Sequence, residues 1–339
     1  MVDLDLALDL PNIRAGLLAL GIFIYVALDG FDLGIGLLFP WLDQTADRDT
    51  AMNTIAPVWD GNETWLILGG GGLFAAFPLA YAVVMPALYA PFIAMILALV
   101  FRGVAFEYRW RDPAHRTIWT SSFVFGSLVA TFMQGIVLGA FVQGIEVADR
   151  AYAGGWWDWL SPFTLMCGVA LCCGYAFLGA GWLILKTTGT LRAQAYRFAR
   201  IAGLATLFFI GVVSIWTPLL SPEIAERWFS VPNFYYLAPI PTLTLIIGGL
   251  IAFGLRRQID GIIYPCAIAL MGLCFVGLGV GFLPYIVPRA ITIREAAAPD
   301  VSLEFMLIGA VVLLPLILAY TAYSYWIFRG KLKTGEGYH

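Results

Sequence analysis

Charge is scarce in this chain. Asp, Glu, Lys and Arg make up 12% of its 339 residues and 61% are hydrophobic, whereas an ordinary soluble domain carries roughly 25% charged residues. That composition cannot cover a water-exposed surface, so the chain reads as a polytopic membrane protein. A basic stripe is missing too. With a net charge of −3 there is no cluster of Lys and Arg to neutralise phosphates, which argues against a nucleic-acid partner. Histidine is nearly absent: only His115 and His339 occur, neither within an apolar segment, so a bilayer-buried haem or metal held by histidine is not expected. The eight methionines and five cysteines show no pair with metal-ligand spacing. Cys167, Cys172, Cys173, Cys266 and Cys274 all fall inside apolar segments and read as small packing residues rather than disulfides. The acidic stretch Met1 to Leu10 lacks the positive region of a cleaved signal peptide, so the first apolar segment is expected to stay in the mature protein. No repeat, linker or low-complexity tract divides the chain, and 1–339 is expected to form one membrane domain.

What is present is apolar length. A bilayer span takes about 20 mostly apolar helical residues, and nine segments qualify, at about 13–40, 62–83, 87–108, 118–145, 160–186, 201–220, 234–255, 262–284 and 304–328. Only Met85-Pro86 separates the second from the third. A single helix over 64–101 would extend roughly 57 Å at 1.5 Å per residue, too long for one crossing. The expected fold is therefore an all-α integral membrane protein of nine transmembrane helices. Placing the N-terminus outside puts thirteen Lys and Arg on the cytoplasmic side, including Arg109, Arg111, Arg116, Lys186, Arg192, Arg329, Lys331 and Lys333. Five, Arg14, Arg150, Arg227, Arg289 and Arg294, fall outside, so the positive-inside rule gives N-out, C-in. Trp156, Trp157 and Trp159, Tyr235 and Tyr236, and Tyr323, Tyr325 and Trp326 sit at span ends as interfacial anchors. Gly30/Gly34, Gly135/Gly139 and Gly277/Gly281 have the spacing of close helix contacts in lipid. The Gly69–Gly72 run reads as another contact or a hinge, and it lacks the context of a phosphate loop.

Against that background a few polar residues stand out. Asp29 and Asp32 are three apart and share a helix face, roughly 24 Å along a helix that enters near Ile13. Asp60 and Glu63 repeat the spacing where the second helix leaves the cytoplasmic side, next to Trp59, and Arg102 lies near the inner end of the third. Four acids and one base thus converge near the cytoplasmic surface. Two structural readings compete with a proton route: Asp60-Gly61-Asn62-Glu63 suits an acidic helix start, and Arg102 could simply neutralise Asp29 and Asp32. An intramembrane carboxyl is by default a functional candidate, and the same cluster would suit a proton-coupled transporter. Gln134 and Gln143 are expected to make interhelical hydrogen bonds.

Four motifs carry a resemblance: Leu28-Asp29-Gly30-Phe31-Asp32-Leu33-Gly34-Ile35-Gly36, Ala56-Pro57-Val58-Trp59-Asp60-Gly61-Asn62-Glu63-Thr64-Trp65, Gly71-Gly72-Leu73-Phe74-Ala75-Ala76-Phe77-Pro78 and Phe101-Arg102-Gly103-Val104-Ala105-Phe106-Glu107-Tyr108. With the closing Tyr320-Thr321-Ala322-Tyr323-Ser324-Tyr325-Trp326, they make the chain resemble subunit II of the cytochrome bd-type quinol oxidases, especially the shorter form of cyanide-insensitive oxidases. The resemblance implies two four-helix bundles plus one peripheral helix in the bacterial inner membrane. It also implies a partner subunit I that carries the haems, two b-type and one d-type, and the quinol site. This chain would be the haem-free subunit of a quinol oxidase that reduces oxygen to water. It would lend a cytoplasmic proton path through Asp60, beside Trp59, with Asp29, Asp32, Glu63 and Arg102; Glu63 stands where some relatives carry glutamine. Lipid contacts, a structural quinone and a small single-helix subunit belong to some members. The alternatives from other classes are a proton-coupled secondary transporter and a purely structural assembly subunit.

Overall fold

Inside a bilayer every backbone N–H and C=O must be satisfied within the protein, which favours helix. The computed structural model describes residues 9–332; Lys333, His339 and the acidic residues before Asp9 lie outside them. In chain order the helices are α1 (Leu10–Leu38), α2 (Thr45–Asn53), α3 (Trp59–Ala76), α4 (Pro78–Ala87), α5 (Tyr89–Arg111), α6 (Arg116–Gln143), α7 (Pro162–Lys186), α8 (Gly189–Leu220), α9 (Pro222–Phe229), α10 (Asn233–Leu237), α11 (Pro239–Arg257), α12 (Asp260–Phe282), α13 (Ile293–Ala296) and α14 (Asp300–Ile327). Asp9 caps α1 by accepting from the Asn12 N–H, with a proline in the first turn. Ser161 caps α7 in a capping box with Thr164.

Among the described residues, eight helices are long and apolar enough to cross a membrane, those that contain α1, α5, α6, α7, α8, α11, α12 and α14. The expected span 62–83 departs from a single apolar rod. It is divided between α3, whose first turn carries Asp60, Asn62 and Glu63, and the ten-residue α4. The break falls at Phe77 (φ −136°, ψ 62°), because a residue before proline is pushed out of the α region. The carbonyl of Ala76 next to the break accepts from Ala298 N–H at 2.9 Å. Pro86 does not end α4; the interruption before α5 comes at Leu88. The expected span 201–220 starts earlier, at Gly189. The first three turns of α8 combine Arg192, Arg197 and Arg200 with buried Leu191, Ala195 and Tyr196, an amphipathic extension invisible to a count of apolar residues.

Packing centres on α1 and α7. A Cβ added at Gly34 would lie 1.8 Å from the Tyr175 carbonyl oxygen, and one at Gly179 would lie 2.5 Å from the Gly34 carbonyl carbon. The two backbones cross in contact, which only glycine permits. Gly135 makes the same close approach to α7, 2.5 Å from Cys167 O, and Gly139 follows one turn on. Gly277 and Gly281 meet only side chains, Ile240 and Trp228, at 3.3 and 3.2 Å. The Gly69–Gly72 run lies inside a continuous helix, with Gly69 and Gly72 against Ile22 and Leu18 of α1. All five cysteines are free thiols in α7 and α12.

Two small antiparallel hairpins, unforeseen in the sequence, close one end of the bundle: β1 (Val147–Ala148) with β2 (Ala151–Tyr152), and β3 (Tyr285–Val287) with β4 (Ile291–Thr292). Arg289 in the second turn donates to the carbonyls of Val142 and Gln143, satisfying the exposed carbonyl end of α6. At the opposite end α2 folds over the bundle. Asp47 there accepts from Thr190 and Gln194, while Asp49 pairs with Arg109 at 2.7 Å and with Arg116. α14 leans on the rest sparsely, with Leu303 its one buried residue. Its start is held by Arg14 donating to the Leu303 carbonyl, and its end by Lys186 donating to the Phe328 carbonyl.

A buried carboxyl cluster as candidate functional site

The antiparallel succession of helices places the last turns of α1 and α5 beside the first turn of α3. Asp29 and Asp32 therefore share a face of α1 opposite Asn62 and Glu63 of α3, with Arg102 entering from α5. Arg102, Asp29 and Asp32 are completely buried. The Arg102 Nη1 lies 3.3 Å from Asp29 Oδ1 and 3.5 Å from Glu63 Oε2, so one guanidinium serves two carboxyls. Asp32 has no ion pair among the described residues. It accepts instead from Asn62 Nδ2 at 2.7 Å, and the same Asn62 accepts from the Tyr325 hydroxyl at 2.8 Å. Glu63 lies at the rim, its side chain 29% exposed.

Trp59 lies against this cluster. Its ring packs on Phe106, centroids 4.9 Å apart, and faces Arg102 with the guanidinium carbon 6.0 Å from the ring centroid, the edge of cation–π range. Asp60 is exposed in the first turn of α3 and is not drawn into the buried cluster. The acidic-cap reading of Asp60 and Glu63 does not hold: the N-cap is Val58, no side chain caps the helix, and Glu63 turns to Arg102. Asp60 still complements the positive end of the α3 dipole.

Beyond Asp29 the polar groups continue. Tyr25, one turn before it on α1, accepts from Gln134 Nε2 at 2.7 Å, and Gln134 Oε1 accepts from the Tyr175 hydroxyl at 2.9 Å. Gln143 also bonds between helices, accepting from Ser161 Oγ at 2.7 Å. Asn62, Tyr25 and Tyr175 escaped the sequence reading, and Tyr325, expected as an interfacial anchor, turns inward to Asn62. Asn62 and Tyr325 sit inside the quoted motifs, but a contact between residues 263 positions apart leaves no trace in spacing. Four buried polar atoms of the site, Asp29 Oδ2, Asp32 Oδ1, Arg102 Nε and Arg102 Nη2, have no hydrogen-bond partner, an unusual concentration where buried polar groups are normally paired.

Among the described residues no group of three or more His, Cys, Asp and Glu is placed to hold a metal ion. His115 sits in the short turn Pro113–His115, its Nδ1 2.9 Å from Asp112 Oδ2. There the indole N–H of Trp119 and the contact with His115 hold the Asp112 carboxyl below the usual carboxylate range.

Fold and site define a class: a polytopic helical membrane protein with a carboxyl–guanidinium cluster buried inside its bundle. Residues 10–328 match the family model for cytochrome bd terminal oxidase subunit II, and the chain belongs to that family. It is 28% identical to cytochrome bd-I ubiquinol oxidase subunit 2 of Escherichia coli K12, over 98% of this chain and 97% of that protein. It is 29% identical to cytochrome bd ubiquinol oxidase subunit 2 of Bacillus subtilis, over 97% of each. Its fold matches a chain in the structure of bd oxidase from Geobacillus thermodenitrificans with a TM-score of 0.77, 17% identity, and coverage of 94% and 98%. The family makes the chain a terminal-oxidase subunit and sets the transporter reading aside. The apolar helices and the bacterial relatives place it in the bacterial inner membrane as a multi-pass protein.

Proposed function

We propose that this subunit carries protons from the cytoplasm towards the oxygen-reducing site of a haem-bearing subunit I, and itself binds no haem. The observation that carries the reading is the charge balance of the cluster: three carboxyls, Asp29, Asp32 and Glu63, stand against one guanidinium, Arg102, which pairs with Asp29 and Glu63 while Asp32 accepts from Asn62. Three anions, two of them completely buried, against one cation would be strongly unfavourable, so the site is neutral only when it holds protons. Asp60, exposed beside Trp59 and one turn from Glu63, is the entrance; Glu63 at the rim receives; Asp29 and Asp32 lie behind it. The unpartnered carboxyl oxygens Asp29 Oδ2 and Asp32 Oδ1 give a proton in transit somewhere to bind.

The proposal includes nine crossings, with α3 and α4 together making the one that eight apolar helices leave out, and an N-out, C-in orientation that turns the cluster to the cytoplasm. Two four-helix bundles, α1, α3 with α4, α5 and α6 in one and α7, α8, α11 and α12 in the other, leave α14 peripheral. Two b-type haems, one d-type haem and the quinol site belong to subunit I in this reading; a structural quinone, lipid and a small single-helix subunit are further partners. Quinol supplies the electrons, and drawing the protons for water from the cytoplasm makes turnover electrogenic without pumping. The test is Asp60→Asn in the assembled oxidase. Slower oxygen consumption and charge movement at unchanged haem content are expected. Normal turnover and charge movement would overturn the path, and loss of haem would favour a structural subunit.

A further inference from the structure

At the hairpin end of the bundle, the ends of α6, α8 and α12 meet around a cavity of about 340 Å³, within the range of small-molecule sites, about 300–1,000 Å³. Val142, Leu278 and Phe282 of the spanning helices give it an apolar wall. Three groups from α9 and the β3–β4 turn face the same space: Glu223, Trp228 and Arg289. Arg289 donates from Nη1 to the Val142 carbonyl at 3.3 Å and from Nη2 to that of Gln143, which fixes the guanidinium at the wall. A guanidinium has five N–H donors, so three remain, and no carboxylate among the described residues pairs with it. Glu223 has neither a hydrogen bond nor an ion pair among the described residues. The indole Nε1 of Trp228 stands over Gly281, 3.2 Å from where a Cβ would lie, and has no acceptor among them either. One cavity thus presents a cation, an N–H donor and an anion, each with unused capacity, and the two charges do not pair with each other.

We propose that this cavity binds the headgroup of a phosphatidylethanolamine, its phosphate on Arg289 and Trp228 and its ammonium on Glu223. A ligand that carries one anion and one hydrogen-bonding cation satisfies all three groups at once, through charge-assisted hydrogen bonds. The other membrane molecules fit less well. Phosphatidylglycerol sets its phosphate against Glu223 with no cation between them. Phosphatidylcholine brings a cation without an N–H to donate, and a quinone offers carbonyl acceptors and leaves Glu223 unpaired. A free zwitterion would satisfy the polar groups but would leave the apolar wall unused. Lipid chains have a place to go: Ile215 and Leu219 on α8 and Val276 on α12, each within a turn of cavity residues Thr217 and Leu278, are exposed. With the N-terminus outside, the site lies in the outer leaflet, at the opposite end of the bundle from the carboxyl cluster.

Native mass spectrometry of the assembled oxidase tests this, after detergent exchange has stripped its lipid and dioleoyl phosphatidylethanolamine, phosphatidylcholine or phosphatidylglycerol has been added back. Lipid held by the partner subunit is common to every variant, so the difference between variants reports this site alone. The native complex should hold one phosphatidylethanolamine that the other two lipids do not replace. Glu223→Gln should weaken it about tenfold, the loss of one charge-assisted hydrogen bond, and bring it level with phosphatidylcholine. Trp228→Phe removes a donor to the phosphate, so it should weaken both of those lipids and leave their ratio as in the native complex. Glu223→Lys replaces the anion by a cation and should turn the preference to phosphatidylglycerol. Arg289 is left in place because it also holds the end of α6. Equal retention of the three lipids by the native complex, or a native preference in Glu223→Gln, overturns the proposal. So does displacement of the lipid by an equal concentration of glycerophosphoethanolamine, which would make the ligand a free zwitterion, or the loss of a quinone in place of phosphatidylethanolamine from the variants.

Discussion

Two of the carboxyl-centred ion-pair sites in this chain are built on opposite stoichiometries. In the buried cluster one cation, Arg102, faces Asp29 and Glu63, with Asp32 behind Asn62. At Asp260 one carboxyl is surrounded by two cations and a phenol: Arg192 at 2.8 Å, Lys331 at 2.5 Å and the Tyr196 hydroxyl at 2.7 Å. The first site has more acids than it can neutralise, and its Asp29, Asp32 and Arg102 are shut from solvent. The second has more cations than it needs and keeps part of each charged side chain in water, 22% for Asp260, 29% for Arg192 and 37% for Lys331. A surplus of carboxyls in a dry place must be settled by protons, whereas a surplus of cations at a wet rim is settled by solvent and counterions. The same residue types thus make an acid-rich buried cluster at one depth and a latch between α8, α12 and the chain's last described residues at another.

Removing the cation should have the largest effect, and only at the buried site. Arg102→Leu leaves Asp29 without its partner, a change worth about 3–5 kcal/mol for a buried pair. Thermal midpoint and yield of haem-bearing oxidase should both fall sharply. The double variant Arg102→Leu/Asp29→Leu should recover much of the loss, because it removes the stranded charge as well; a double variant as poor as the single would break the comparison. Next in size is the scaffold that brings the acids together. Gly34→Ala drives a methyl to 1.8 Å from the Tyr175 carbonyl oxygen, forcing α1 and α7 apart. Overpacking of this kind costs about 1–3 kcal/mol, and the thermal midpoint of the assembled oxidase should drop accordingly. Because the same shift carries Asp29 away from Arg102, turnover should fall more than in a Gly248→Ala control, whose added Cβ meets only the end of Leu207 at 3.5 Å.

Much of this arrangement could be read before any coordinates, and the part that could not has physical reasons. The helices were legible because apolar length is a property of consecutive residues, and the acids because a charge inside such a length is conspicuous. Asp29, Asp32, Glu63 and Arg102 converge as their positions along three alternating helices require. Asp60 does not join them, since a residue in the first turn of α3 can equally face out, and sequence depth carries no azimuth. The break at Phe77 hides in an apolar run, although Pro78 announces it in retrospect. The Asp149-Arg150 turn, with both φ positive at 49° and 63°, is the hairpin geometry usually filled by Asn-Gly or Asp-Gly, and its residues gave no such signal. The hydrogen bonds made by Asn62 and Tyr25 depend on helix rotation and on partners more than a hundred residues away.

The link from α14 to the cluster tests that last point with a smaller effect. Tyr325→Phe removes the hydrogen bond to Asn62 and nothing else of the ring, which stacks edge-on to Phe31 and Trp182. Interhelical hydrogen bonds in membranes average about 0.6 kcal/mol, so a small drop in thermal midpoint is expected. If the drop rivals that of Arg102→Leu, Asn62 is holding Asp32 through Tyr325 and α14 belongs to the site.

The smallest change should come from the latch, and its value lies in the salt dependence. Lys331→Ala removes one of two cations from Asp260, leaving Arg192 and Tyr196 in place. A partly exposed pair of this kind is worth about 0–1 kcal/mol, and a third partner lost from an already satisfied carboxyl should sit at the low end. Salt at 1 M shortens the screening length to about 3 Å, which should erase the difference from the native protein. The loss in Arg102→Leu should be unchanged by the same salt, because no counterion reaches a completely buried guanidinium. Midpoints of both variants measured at low and high salt therefore separate the two stoichiometries by mechanism as well as by size. A Lys331→Ala deficit that persists in 1 M salt would mean that the wet rim is dry in the assembled oxidase, with the latch covered by the partner subunit.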